Sequence, residues 1–176
     1  KIIILLLIAT FSFSSCEKDD ICDANTSTTP RLVIDFYDIT TPSLLKKVTN
    51  LKVIGDGAPE GIVFSTATDG SQYLTNASSI SIPLKIDADT TTYSFILNYE
   101  NANPTLINED KITFNYTRDN LFVSRACGFK TVFLLNTTNP YIHSDATIPD
   151  LLWIKAISVE KNNIDNENET HIKIFF

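Results

Sequence analysis

Apolar and polar residues alternate with a period of two along much of the chain, which is the pattern of half-buried β-strands. The clearest series lie at residues 32–36, 80–86, 93–99, 112–116, 122–126, 132–135, 152–159 and 172–176. Weaker series lie at 48–54, 62–64 and 72–74. No segment shows a sustained helical stripe. Strands without intervening helices predict an all-β fold, an antiparallel β-sandwich of the immunoglobulin-like or a similar kind.

Two local features refine this prediction. Pro83 interrupts the series at 80–86, and because proline has no N–H to donate, that strand is predicted to lie at a sheet edge or to carry a bulge. The polar run Arg118, Asp119 and Asn120 predicts a turn before the next strand.

The chain starts with a lysine followed by seven consecutive Ile and Leu residues. This apolar stretch ends near Phe13 after about a dozen residues, whereas a membrane-spanning helix needs ~20. Such a start is typical of a secretory signal peptide, although a buried first element of the domain is the alternative. We therefore predict a lipoprotein signal peptide at 1–15, an acylated cysteine with a polar tether at 16–30, and one β-sandwich domain at 31–176.

The segment 13–16 reads Phe-Ser-Ser-Cys. It resembles the lipobox of bacterial lipoproteins, with phenylalanine in place of the usual leucine, and the resemblance implies a fatty acyl chain on Cys16. Lys18, Asp19 and Asp20 resemble the acidic export signal of Bacteroidota lipoproteins. This second resemblance implies an outer-membrane protein, lipid-anchored at the cell surface. The periplasmic face is the alternative, since charged residues beside a lipid also serve as a solvated tether.

The three cysteines divide into one lipidation site and one pair. With Cys16 acylated, Cys22 and Cys127 remain, and in an oxidising compartment a disulfide between them is the expected state. A reactive thiol is the alternative, but neither histidine is close to a cysteine in sequence.

Three stretches, at 29–37, 122–129 and 171–176, read TPRLVIDFY, FVSRACGF and HIKIFF. They resemble an uncharacterised family of Bacteroidota lipoproteins, domain-of-unknown-function family 6452. Together with the acylated start, the likeness covers nearly the whole chain, and the middle stretch is its most specific part. The resemblance implies the cellular address and the fold, but no activity.

The charge balance excludes one class of partner. The chain has 21 acidic and 14 basic residues, a net charge of -7, and no cluster of Lys and Arg. Such a surface repels polyanions, so no nucleic-acid partner is expected. The predicted partners are the lipid bilayer, through Cys16, and a glycan or an envelope protein.

No residue pattern indicates catalysis, and neither a catalytic residue nor a cofactor is predicted. His143 and His171 are expected to be exposed, on a loop and at a strand end, without the clustering that a zinc site needs. The chain has no G-x-S-x-G motif and no phosphate-binding glycine loop.

Two weaker signals remain. Asp87 and Asp89 are spaced as hard oxygen ligands on a loop, and acidic residues repeat that spacing at 165–169, so both groups are weak calcium candidates. The EF-hand pattern is missing, and no metal site is predicted. Thr90 lies in a tripeptide that resembles a Bacteroidota O-glycosylation sequence.

The predicted function is therefore that of a non-catalytic surface binding or envelope-accessory module. Tyr73, Tyr141 and Trp153 are the aromatic residues placed to form an exposed glycan platform. The alternatives are a purely structural envelope protein and a carbohydrate-processing hydrolase whose site is a pair of carboxylates.

Overall fold

The structure is a computed structural model, and it describes residues 21–23, 26, 28–147 and 149–176. The predicted signal peptide, Cys16, and the export residues Lys18, Asp19 and Asp20 lie outside the described residues. Within the described part of the chain, no helix is long and apolar enough to cross a membrane.

Eleven strands and two short 3-10 turns make up the described structure. The strands are β1 (Leu32–Tyr37), β2 (Leu51–Gly55), β3 (Leu74–Thr75), β4 (Ser79–Ile82), β5 (Thr90–Leu97), β6 (Asn108–Ser124), β7 (Gly128–Leu135), β8 (Tyr141–Asp145), β9 (Ala156–Val159), β10 (Asn163–Ile164) and β11 (Ile172–Phe175). The 3-10 turns are Ser71–Tyr73 and Pro104–Leu106.

The strands form two sheets, which confirms the predicted β-sandwich. The four-stranded sheet has the order β4-β1-β11-β9, and the seven-stranded sheet has the order β10-β7-β6-β5-β2-β3, with β8 also paired to β6. All pairs are antiparallel except β1 with β11, which are parallel. This parallel pair is the one departure from the antiparallel prediction among the described strands.

Alternate residues from both sheets fill the core between them. The four-stranded sheet contributes the inward positions of β1, β4 and β11, such as Ile34, Phe36 and Ile174. The seven-stranded sheet contributes Phe95 and Phe114, and all five of these side chains are fully buried. The period-two pattern in the sequence therefore identifies the core face of these strands.

Strand β4 lies at the edge of its sheet, as Pro83 predicts. The chain leaves the sheet after Ile82 and crosses towards the other sheet, where the Tyr93 hydroxyl donates to the Pro83 carbonyl over 2.5 Å. The Tyr116 hydroxyl donates to the Lys85 carbonyl over 2.9 Å. Desolvation raises the pKa of Tyr93 to about 12, so its hydroxyl remains a donor at physiological pH.

The prediction of a turn at Arg118, Asp119 and Asn120 is wrong. These residues lie inside the 17-residue strand β6, and they pair with Phe133, Val132 and Thr131 of β7. The turn comes later, at residues 125–127. Polar residues occur here because the β6–β7 hairpin extends past the core, so residues 117–122 are exposed.

Several other segments differ from the predictions in extent. Strand β9 is limited to Ala156–Val159, and Trp153 and Ile154 before it are buried without belonging to a strand. The series at 62–64 is not a strand: an isolated bridge joins Gly61, just before it, to Ile54 of β2. Strand β8 was not predicted, because its short run contains a histidine and two polar residues.

Cys22 and Cys127 form a disulfide, as the cysteine count predicts, with their Cα atoms 4.9 Å apart. The bond joins the N-terminal segment to the turn of the β6–β7 hairpin. The two residues are 105 positions apart, and in the chain-entropy model a loop of this size gives up to ~4.7 kcal/mol of stabilisation.

His171 is fully buried beside the parallel β1–β11 pair, which corrects the prediction that it is exposed. Its Nδ1 accepts a hydrogen bond from the backbone N–H of Val33 over 3.0 Å. This places the ring proton on Nε2, which is buried and has no hydrogen-bond partner among the described residues. Desolvation lowers the pKa of His171, although the carboxylates of Glu169, Asp165 and Glu167 oppose the effect.

We predict that acidification weakens the fold through His171. Because its pKa is lower in the folded state than in the unfolded state, the stabilisation is complete well above ~6.5 and is lost as the pH falls through that value, by at most ~1.4 kcal/mol per pH unit. Urea unfolding between about pH 7.5 and 5.5 measures this slope. His171→Asn keeps an acceptor for Val33 and does not titrate, so its slope should be smaller. Equal slopes for the two proteins would contradict the prediction.

Candidate functional site

A groove of about 620 Å³ lies on the outer face of the seven-stranded sheet. It is formed where β5 ends and β6 begins, together with the segment that follows β8. The lining residues are Ile96, Tyr99, Glu100, Ile107, Glu109, Lys111, Ala146, Thr147 and Asp150. A groove of this volume is in the range of ligand sites.

The groove is lined by both aliphatic and acidic side chains. Ile96 and Ile107 contribute aliphatic surface, and three carboxylates, Glu100, Glu109 and Asp150, stand against one amine. That amine, Lys111 Nζ, donates to the Thr147 hydroxyl over 3.3 Å. The lining therefore has an excess of two negative charges.

Two loops that form the sides contain residues with left-handed backbone conformations. Glu100 has a φ of 62° and Leu151, which is 80% exposed, has a φ of 74°. The Asn98 amide donates to the Leu106 carbonyl over 2.9 Å, and the Asn108 amide donates to the Leu151 carbonyl over 2.5 Å. Such strained residues persist only where surrounding contacts fix them, and these hydrogen bonds supply that constraint.

A pair of aspartates shapes the second loop. The Asp145 carboxylate accepts from the backbone N–H groups of Ala146, Asp150 and Leu151 over 2.8, 3.3 and 3.2 Å. Desolvation raises the pKa of Asp145, but these donors outweigh it and the pKa lies below the ordinary value. The pKa of Asp150 is raised, first by desolvation and then by its proximity to Asp145 and Asp110, against the Glu109 N–H that it accepts.

Behind the groove, a buried carboxylate joins three parts of the chain. Asp110 on β6 is fully buried, and it accepts from the backbone N–H groups of Trp153 and Ile154 over 3.3 and 2.9 Å. Its Oδ2 also lies 2.9 Å from Nε2 of His143 on β8. His143 is therefore on a strand and its side chain is only 16% exposed, which corrects the prediction of an exposed loop residue.

Asp110 and His143 form a pair of the kind found in nucleophilic triads, but the third member is missing. Among the hydrogen bonds of the described residues, none joins a hydroxyl or a thiol to His143. The pair is best explained as a structural link between β6, β8 and the segment at Trp153. Alternation at Tyr141, His143 and Asp145 was the sequence signal that could have placed His143 on a strand.

The calcium candidates do not come together. Asp89 is paired with Arg118 over 2.8 Å, and Asp87 lies nearby on an exposed loop. In the second candidate group, Glu167 binds Arg31 over 2.7 Å and Glu169 binds Lys161 over 3.3 Å. In the part of the chain that the structure describes, no three His, Cys, Asp or Glu residues are grouped to hold a metal ion.

The aromatic residues proposed as a glycan platform do not form one. Trp153 is buried, and its indole N–H donates to the Phe95 carbonyl over 3.0 Å. The Tyr141 hydroxyl donates to the Ile157 carbonyl over 3.0 Å, and Tyr73 contacts Glu60. Thr90, the glycosylation candidate, is exposed at the start of β5.

A scan against protein-family models matches residues 50–176 to the family of unknown function DUF6452. The chain belongs to this family. The match covers most of the sandwich, including the groove, but not β1 or the stretch at 29–37 that contributed to the resemblance. We found no significant match among curated proteins or solved structures.

We predict that Asp110 is needed for the stability of this DUF6452 domain. Asp110→Ala leaves the N–H groups of Trp153 and Ile154 buried without an acceptor, and should lower the free energy of unfolding by about 3 kcal/mol. Asp89→Asn removes an exposed ion pair and should cost less than about 1 kcal/mol. Denaturant unfolding of both variants measures the difference, and similar costs would show that the Asp110 network has no special role.

Proposed function

We propose that this protein is a lipid-anchored, non-catalytic binding module on the outer face of the outer membrane, and that its ligand enters the groove between β5, β6 and β8. The observation that carries the proposal is the position of the groove relative to the disulfide. The N-terminal segment is bonded to one end of β6, and the groove lies at the other end.

Strand β6 sets the distance between these two features. It runs for 17 residues, from Asn108 beside the groove to Ser124 beside the hairpin turn. At ~3.3 Å per residue, the two ends are roughly 50 Å apart along the strand. A lipid on Cys16 would hold the hairpin end near the membrane, and the groove would then be presented to the medium.

The lining of the groove favours one class of ligand. Aliphatic surface with an excess of carboxylates suits a protein segment that carries a basic side chain beside aliphatic ones. A neutral glycan is less well served, because Tyr99 is the one aromatic side chain in the lining and its ring is already contacted by Lys52 Nζ at 4.0 Å. The proposed ligand is therefore a basic segment of an envelope protein.

The second candidate function is a carbohydrate-processing hydrolase. Asp145 and Asp150 are close together beside the groove, and their pKa values are shifted in opposite directions, as in an acid–base pair. Both carboxylates, however, accept backbone N–H groups that hold the loop. Because these hydrogen bonds hold the loop, they favour a structural role for Asp145 and Asp150 and a binding role for the groove. In a purely structural envelope protein, the third candidate, the groove would have no ligand.

The first prediction concerns the acylation of Cys16 and the location of the domain at the cell surface. Metabolic labelling with a fatty acid analogue should mark the wild type but not Cys16→Ala. Protease added to intact cells should remove the wild-type domain, and replacement of both Asp19 and Asp20 by Ala should protect it. Equal labelling of the first two proteins would refute the anchor. Labelled wild type that resists protease would place the domain on the periplasmic face.

The groove makes the second prediction. A synthetic peptide of alternating Lys and Leu should shift the amide resonances of Tyr99 and Ile107, and a matched peptide of Glu and Leu should not. The double variant Glu100→Gln, Glu109→Gln should weaken binding by up to about 30-fold, since each lost charge pair is worth up to ~1 kcal/mol.

Asp56→Asn is the matched control, because it removes one exposed charge outside the groove and should leave the affinity unchanged. Equal affinity for both peptides, or tighter binding of a neutral oligosaccharide at the same residues, would refute the basic-segment ligand. Hydrolysis of that oligosaccharide would support the second candidate.

A further inference from the structure

The end of the β6–β7 hairpin carries an aromatic pair that is largely exposed in the described structure. Phe122 and Phe129 are opposite each other in the two strands, with ring centroids 5.4 Å apart in an edge-to-face arrangement. They are 62% and 68% exposed. Large apolar groups this exposed and adjacent to each other are typical of interaction surfaces.

The position of the pair explains why it is exposed. Phe122 lies on the same face of β6 as Phe114 and Tyr116, which are buried in the core. Phe129 lies on the same face of β7 as Phe133, which is also buried. The core-facing side of the hairpin therefore continues past the point where the four-stranded sheet stops covering it. The pair extends the core face beyond the four-stranded sheet, and the segment that contains Thr28 and Thr29 lies beside Phe129.

The disulfide places this pair close to the N-terminal segment. Cys127 lies in the hairpin turn, two residues before Phe129, and is bonded to Cys22. Cys22 is six positions after Cys16, so the two are at most ~22 Å apart in a fully extended chain. Without the bond, the path from Cys16 to the start of β1 is sixteen residues, or roughly 55 Å.

The charge of the hairpin end differs from that of the whole protein. Residues 117–131 contain three basic side chains, Arg118, Arg125 and Lys130, and one acidic side chain, Asp119. Arg118 is paired with Asp89, and Lys130 Nζ donates to the Asp165 carbonyl over 3.5 Å, so Arg125 in the turn is the basic side chain nearest the exposed tip. The chain as a whole has a net charge of -7. Basic residues beside exposed aromatic ones are the combination that binds the interface of a bilayer with anionic headgroups.

We propose that the end of the β6–β7 hairpin is a membrane-docking surface, with Phe122 and Phe129 inserted at the bilayer interface and Arg125 beside the headgroups. This inference rests on the acyl anchor proposed above, which brings the hairpin to the bilayer. It adds a second, non-covalent contact that fixes the orientation of the domain, with the groove directed away from the lipid.

The test uses the full-length acylated protein in vesicles of phosphatidylcholine and phosphatidylglycerol with brominated acyl chains. The native Trp153 is buried, so the wild type gives the background fluorescence. Phe129→Trp and, separately, Phe122→Trp place a probe at the hairpin end. Leu106→Trp is the matched control, because Leu106 is 53% exposed and lies at the groove end of the sheet.

Brominated lipid should quench at least half of the added fluorescence of Phe129→Trp and Phe122→Trp, and little of that of Leu106→Trp. Melting temperatures of the variants confirm that each has folded. Equal quenching at both ends, or no quenching at the hairpin in protein that floats with the vesicles, would overturn the docking surface and leave the anchor standing. Failure of the wild type to float would overturn the anchor and the docking with it.

A second copy of the chain is the competing occupant of the aromatic pair. Sedimentation of the protein in detergent distinguishes it from the bilayer. A wild-type dimer that becomes a monomer when Phe122 and Phe129 are replaced by Ser would overturn the membrane assignment, and a monomer in both cases would support it.

Discussion

The covalent bond between Cys22 and Cys127 determines which end of the molecule lies near its N-terminal segment. A tether that entered the sandwich only at β1 would leave the domain free to turn. The bond instead fixes the segment to the turn of the longest hairpin. Every proposal about orientation made above depends on this one contact, because it assigns the hairpin to one end and the groove to the other.

Strand β6 carries this assignment through the molecule. Its first half pairs with β5 and β8, and its second half pairs with β7. The first half is buried on its inner face and bears Asp110, which joins β8 and the segment at Trp153. The second half extends beyond the core, so the face that is buried in the first half is exposed at residues 117–122. One strand thus provides a buried end beside the groove and an exposed end beside the disulfide-bonded N-terminal segment.

The sequence predicts the fold well where both sheets cover the strands. There, alternation at Leu32, Ile34 and Phe36 reflects burial on one face, and Pro83 correctly marks an edge. The sequence-based prediction fails at residues 118–120, where it gives a turn instead of a strand. A hairpin that extends beyond its core has polar residues on both faces, and so does a turn. Periodicity measures burial rather than hydrogen bonding, so it cannot detect such a strand.

The site was much less predictable than the fold. Cysteine counting identified the Cys22–Cys127 pair because the argument needs only chemistry and compartment. The burial of His171 and the half-buried position of His143 depend on partners distant in sequence, Val33 and Asp110, which no local pattern indicates. The groove likewise joins the loops after β5 and β8, and its acidic character arises only when these loops meet. The local sequence of either loop does not indicate that the two are close in space.

The most direct test of this account is the state of the cysteines in protein purified from cells. The protein is alkylated without reduction, digested and analysed by mass spectrometry. The account predicts one disulfide-linked peptide pair that contains Cys22 and Cys127, which separates into two peptides on reduction. Alkylated Cys22 and Cys127 in the unreduced sample would contradict it, since the N-terminal segment would then be free of the hairpin.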